Sequence, residues 1–196
     1  LEYQREAVID AKNKLDEYGG VFLSDVVGLG KTYISAMLAQ QLDGRHLIIC
    51  PPILKDYWES TFRDFNVPAT VVSLGTLDEA INLIRKTEYK NVFIDEAHRF
   101  RNELTPTYAK LKEICWGKRI ILVSATPQHN TPNDILSLIK LFQKGRNSNI
   151  PNLKNLEIYF DTLEKRLKEV NRTTDYNTYV NIVKDNAKRI REYVLK

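Results

Sequence analysis

Five short apolar runs, at residues 21–24, 47–50, 70–74, 92–95 and 120–124, alternate along this chain with stretches whose apolar residues recur at helical spacing. The helical stretches cover residues 2–18, 32–42, 54–65, 77–87, 106–115 and 132–142. Strands that alternate with helices must be joined by crossovers. With right-handed crossovers the product is an α/β three-layer sandwich around a mainly parallel sheet. In such a sheet, ligands bind outside the carboxyl ends of the strands, so the residues just past each apolar run carry the chemistry.

Past the first run stands Ser24-Asp25-Val26-Val27-Gly28-Leu29-Gly30-Lys31-Thr32, which opens a helical pattern. Exposed backbone N–H groups in a glycine turn and the positive end of the following helix suit a triphosphate. The Lys31 ammonium is placed to reach β- and γ-oxygens, and the Thr32 hydroxyl to ligand Mg²⁺. The strict phosphate-loop pattern has glycine where this chain has Asp25, and an ordinary glycine turn capping a helix would show the same residues.

The fourth run supplies what a bare turn lacks. Asn91-Val92-Phe93-Ile94 leads into Asp95-Glu96-Ala97-His98, two carboxylates at a strand end. Asp95 is expected to hold Mg²⁺ and Glu96 to polarise the water that attacks the γ-phosphate. After the fifth run, Ser124 and Thr126 in Ser124-Ala125-Thr126-Pro127 either hydrogen-bond the segment that carries His98, and so couple it to the nucleotide, or simply cap a turn.

In this order the motifs resemble the first RecA-like ATPase lobe of superfamily 2 helicases and translocases, and within them the Swi/Snf-related, DEAH-containing branch. Leu1-Glu2-Tyr3-Gln4 resembles the entry motif whose glutamine reads adenine. Residues 25–32 match an Asp-x-x-Gly-Leu-Gly-Lys-Thr loop, and Pro51-Pro52-Ile53-Leu54-Lys55 with Trp58 is similar to motif Ia. Asp95 to Asn102 and Ser124 to Pro127 with Asn130 continue the match, which reaches about Phe142. His129 stands where that family carries glutamine. The resemblance implies ATP and Mg²⁺ as cofactors, Gln4, Gly28, Leu29, Gly30, Lys31, Thr32 and Tyr33 as nucleotide contacts, and ATP hydrolysis coupled to movement along nucleic acid, DNA rather than RNA. It also implies a second RecA-like lobe whose arginines complete catalysis. No glutamine-glycine-arginine-arginine motif occurs before Lys196 and the chain starts at leucine, so the expectation is one excised lobe, nearly inactive alone.

Nucleic-acid contacts are expected on the same sheet edge, from Lys55, Ser73, Thr76, Arg99 and Arg101. Cations there would neutralise backbone phosphates without reading bases. Arg99 and Arg101 suit carboxylate partners equally well. Trp58 fits core packing better than a base-stacking platform.

Composition agrees with a single compact lobe: 196 residues, 43% hydrophobic and 28% charged. A net charge of +4 is too small to argue for a polyanion partner by itself. Cys50 and Cys115 are too scattered for a zinc cluster or disulfide scaffold and are expected to be buried thiols. The sequence contains no long apolar span or lipidation motif, which points to a cytoplasmic protein without membrane contact. Residues 1–142 form the expected ATP-binding lobe and residues 143–153 a polar linker. Residues 154–196 form a helical appendage, with stripes Leu156, Phe160, Leu163, Leu167, Val170 and Tyr179, Val183, Ala187, Ile190, Val194. Two readings from other classes remain open: a phosphate-loop ATPase that remodels protein complexes, and a nucleotide-binding module without turnover.

Overall fold

The structure, a computed structural model, describes residues 2–24, 30–124 and 131–170. The second appendage stripe lies outside the described residues, as do Gly28, Leu29, Thr126, His129 and Asn130. In chain order the elements are α1 (Glu2–Tyr18), β1 (Gly20–Leu23), α2 (Lys31–Ala39), β2 (His46–Cys50), α3 (Lys55–Asp64) and β3 (Ala69–Ser73). They continue with α4 (Leu77–Lys86), β4 (Asn91–Asp95), α5 (Pro106–Cys115), β5 (Arg119–Val123), α6 (Pro132–Ile139) and α7 (Leu156–Val170).

The five strands form one sheet in the order β1-β5-β4-β2-β3, and every pairing is parallel. Strand residues alternate between two buried faces. Val21, Ile48, Cys50, Val71, Phe93 and Ile121 pack with α1, α2 and α3 through Leu15, Ile34, Leu38, Trp58 and Phe62. Phe22, Leu47, Ile49, Val72, Ile94 and Leu122 pack with α4 to α7 through Ile81, Leu111, Leu138 and Phe160. Each large apolar side chain among them contributes about 2 kcal/mol of transfer free energy, which favours covering both faces of the sheet.

Helix starts are set by local chemistry. At α5, the Thr105 hydroxyl accepts a hydrogen bond from Tyr108 N (3.2 Å) and Pro106 occupies the first turn. At α6, Pro132 does the same while Thr131 N donates to Asp134 Oδ2 (3.2 Å). Helices α2 and α6 end three residues earlier than the apolar spacing suggests. Their last residues tighten into i−3 bonds, Leu42 N to Ala39 O (3.2 Å) and Phe142 N to Ile139 O (3.1 Å). This turn lays the Phe142 ring over Gly20, where an added Cβ would overlap it.

The polar segment after α6 is folded against the lobe. Gln143 Nε2 donates to Tyr18 O (2.6 Å), and Gln143 Oε1 accepts from Ser148 Oγ and Asn149 N (3.1 Å each). Asn149 Nδ2 donates to Glu17 O (3.1 Å), Ile150 is buried, and α7 then adds Leu156, Phe160 and Leu163 to the core beside α6. Polar side chains here replace the backbone pairing that an irregular buried segment would otherwise lack.

Candidate nucleotide site

The register aligns the carboxyl ends of three adjacent strands: Leu23 pairs with Val123, and Val123 with Asp95. The loop after β1 leads to α2 on one face of the sheet, and the loop after β5 leads to α6 on the other. Adjacent strands whose connections leave to opposite faces mark the carboxyl edge at which an open parallel sheet takes its ligand, and β4 stands next to them.

Asp95 ends β4 on the same face as Phe93, toward α2 and α3, and is 8% exposed. Its two carboxylate oxygens have separate donors. Trp58 Nε1, on the fully buried indole, donates to Oδ2 (2.9 Å), and Glu96 N donates to Oδ1 (2.9 Å). Burial pushes the carboxyl above the usual carboxylate range and the Glu96 charge adds to the rise; the Trp58 hydrogen bond, the Glu96 amide and the Lys31 charge oppose it. A desolvated carboxylate with one donor on each oxygen keeps lone pairs free, and it gains from any further positive charge. That chemistry fits Mg²⁺ or its water shell.

Glu96 sits in the left-handed region at φ 53°, ψ 41°, a conformation costly for a side chain with a Cβ and typical of functional sites. Glu96 Oε2 lies 3.1 Å from His98 Nδ1, and the same nitrogen lies 3.2 Å from Ser124 Oγ. With a proton on Nδ1, the ring donates to both, joining the acidic segment after β4 to the end of β5.

At the start of α2, Gly30 is left-handed (φ 73°) and its carbonyl accepts from Ile34 N (3.0 Å). Lys31 and Thr32 follow in the first turn, half-buried, where helix N–H groups have no partner within the helix itself. Gln4 reaches this point from α1: its Nε2 would lie 3.4 Å from a Cβ built on Gly30. Tyr33 is exposed and meets the Phe65 ring edge-on, with centroids 5.8 Å apart.

The residues expected to face nucleic acid end or follow β2, β3 or β4 on this edge, with Ser73 the last residue of β3. Lys55 Nζ is 3.9 Å from Glu59 Oε1, one helical turn on. Ser73 Oγ accepts from Gly75 N (3.2 Å), and Thr76 Oγ1 donates to Ser73 O (3.3 Å), so both hydroxyls shape the turn they occupy. Arg99 and Arg101 are exposed, and among the described residues neither forms an ion pair. The two cysteines are buried thiols, each pushed up to about 12 by burial.

Sequence reasoning missed the role of Trp58. It is core, as expected, but its indole N–H also holds Asp95. The available signal was a buried tryptophan, whose N–H requires an acceptor.

A five-stranded, all-parallel sheet with helices on both faces and an acidic strand end at its carboxyl edge is the RecA-like fold class. Residues 66–174 match the SNF2-related domain, and the chain belongs to that family. Its relatives include the ATP-dependent helicase YqhH of Bacillus subtilis, 27% identical over 74% of this chain and 29% of the relative. Switch 2 of Arabidopsis thaliana is 27% identical over 100% of this chain and 27% of its own length. The chain thus spans less than a third of these relatives. Among solved structures, the Sulfolobus solfataricus SWI2/SNF2 ATPase core in complex with dsDNA shares the fold, with a TM-score of 0.69 and 18% identity over 99% of this chain and 43% of that one. Among the described residues, no helix is long and apolar enough to cross a membrane.

Proposed function

We propose that this chain is the ATP-binding lobe of a nucleic-acid-dependent ATPase that couples hydrolysis to movement along DNA. The observation that carries the reading is the buried Asp95 carboxylate, held by one donor on each oxygen at the carboxyl end of β4, with Glu96 beside it tied through His98 to Ser124 at the end of β5. Bound magnesium–ATP supplies the reacting phosphoryl group and the metal charge. Gln4, beside Gly30, holds adenine, and Gly28 to Tyr33 form the phosphate cradle. Lys31 draws the β/γ-phosphates, Thr32 and Asp95 hold the metal, and Glu96 orients and deprotonates water.

His98 and Ser124 link that carboxylate to the end of β5, so a change at either strand end reaches the other, and Thr126 is assigned to the same coupling by its place in the motif. Lys55, Ser73, Thr76, Arg99 and Arg101 lie on the same edge and suit backbone phosphates. The duplex in the Sulfolobus complex supports DNA over RNA as the track. A second RecA-like lobe of the same polypeptide completes the site with arginines, and the lobe alone turns over slowly. The test is the ATPase rate of the full-length protein with single-stranded and duplex DNA and RNA across a salt titration. Duplex DNA should stimulate most, with a steep loss as salt rises; a rate indifferent to all four would refute the motor reading.

A further inference from the structure

Helix α3 begins at Lys55, directly after the Pro52–Leu54 turn, whose Pro52 and Ile53 are exposed and whose Leu54 packs against the core, and three residues later presents Trp58 to Asp95. The turn and the carboxylate are therefore joined by one rigid helical turn and one buried hydrogen bond. Nothing about the strand itself fixes the rotation of the Asp95 carboxylate. The Glu96 amide holds Oδ1, and only Trp58 holds Oδ2 among the described residues. The indole is in turn locked by packing, with Phe62 5.7 Å away and Phe62 edge-on to Phe93. A donor this confined cannot follow the carboxylate if it swings, so it sets the direction in which the remaining lone pairs point.

We propose that Trp58 is a positioning residue: it aims the Asp95 carboxylate at its metal and makes that aim answer to the Pro52–Lys55 turn. This rests on the ATP-site reading above and extends it to how the site is regulated. A partner that shifts the turn drags Trp58, and with it one oxygen of Asp95. Outer-shell partners of metal-binding side chains are worth roughly tenfold or more in metal affinity, so the effect is measurable without turnover.

The experiment uses full-length protein and calorimetric binding of a non-hydrolysable ATP analogue, with Mg²⁺ and with EDTA. Trp58→Phe keeps a ring against Phe62 but has no N–H. It should bind the analogue in EDTA as wild type does and lose about tenfold of the affinity that Mg²⁺ adds. In an Asp95→Asn background it should add nothing. Duplex DNA should change the magnesium-dependent gain in wild type and leave Trp58→Phe unmoved. If Trp58→Phe fails to fold, 3-benzothienylalanine at position 58 preserves shape while removing only the N–H. An unchanged magnesium gain in either variant, or an equal response to DNA, overturns the proposal. A wild-type protein with no magnesium-dependent binding overturns the ATP-site reading instead.

Discussion

His98 Nδ1 is shared between Glu96 Oε2 at 3.1 Å and Ser124 Oγ at 3.2 Å, so the acidic pair after β4 is tied to the end of β5 by one imidazole. Glu96 is the residue proposed to act on water, and its amide form keeps shape while losing basicity. Glu96→Gln in the full-length protein should bind ATP normally and lose turnover by about 10²- to 10⁴-fold. Phosphate release near the wild-type rate would move the role of base to another residue.

Lys31 stands in the first turn of α2, and its charge already bears on Asp95. On the proposed reading, removing that ammonium takes from the triphosphate its main cationic contact and from Asp95 an opposing charge. Lys31→Ala should weaken binding of a fluorescent ATP analogue about tenfold or more, as expected for loss of a charge-assisted contact worth about 2 kcal/mol. Unchanged affinity in an equilibrium titration would remove Lys31 from the site.

Much of the sheet was legible because each strand is a buried apolar run. The structure nonetheless starts every strand one residue earlier than those runs, at Gly20, His46, Ala69, Asn91 and Arg119. Parallel pairing extends onto those residues regardless of polarity: Asn91 pairs with Arg119 and with His46. The Asp95–Glu96 pair and the Lys31 turn were visible because their chemistry lies in consecutive residues. The Trp58–Asp95 bond was not, because it joins a helix to a strand 37 positions away through burial, which no local period encodes. The folding of residues 143–155 was hidden for the same reason, since Gln143 bonds to a carbonyl 125 positions back.

That last bond has a measurable weight. Gln143 is buried and satisfies three partners, the Tyr18 carbonyl, the Ser148 hydroxyl and the Asn149 amide. Gln143→Ala strands all three, so urea denaturation should show a loss of about 2 kcal/mol. Gln143→Glu removes the donor to Tyr18 and buries a charge there, and should destabilise at least as much at neutral pH. A loss below about 0.5 kcal/mol for Gln143→Ala would mean that this segment is held by α7 packing alone.

His46 gives the fold a pH dependence of its own. At the start of β2 it is 5% exposed and edge-on to Phe93, and among the described residues its Nδ1 has no hydrogen-bond partner. Burial pulls its pKa below the ordinary histidine value, and the Asp43 charge only partly restores it. The folded state therefore holds His46 neutral at pH values where the unfolded chain, titrating near about 6.5, takes up a proton. Its contribution is intact above that value. It is lost as pH falls from there to the lowered folded pKa, and it is flat again below. Wild-type thermal stability should drop through that acid window, while His46→Leu, which buries no titratable group, should lose that part of the slope and equal or exceed wild type at the acid end. Parallel melting curves for the two proteins down to pH 5 would show that His46 is not the group responsible.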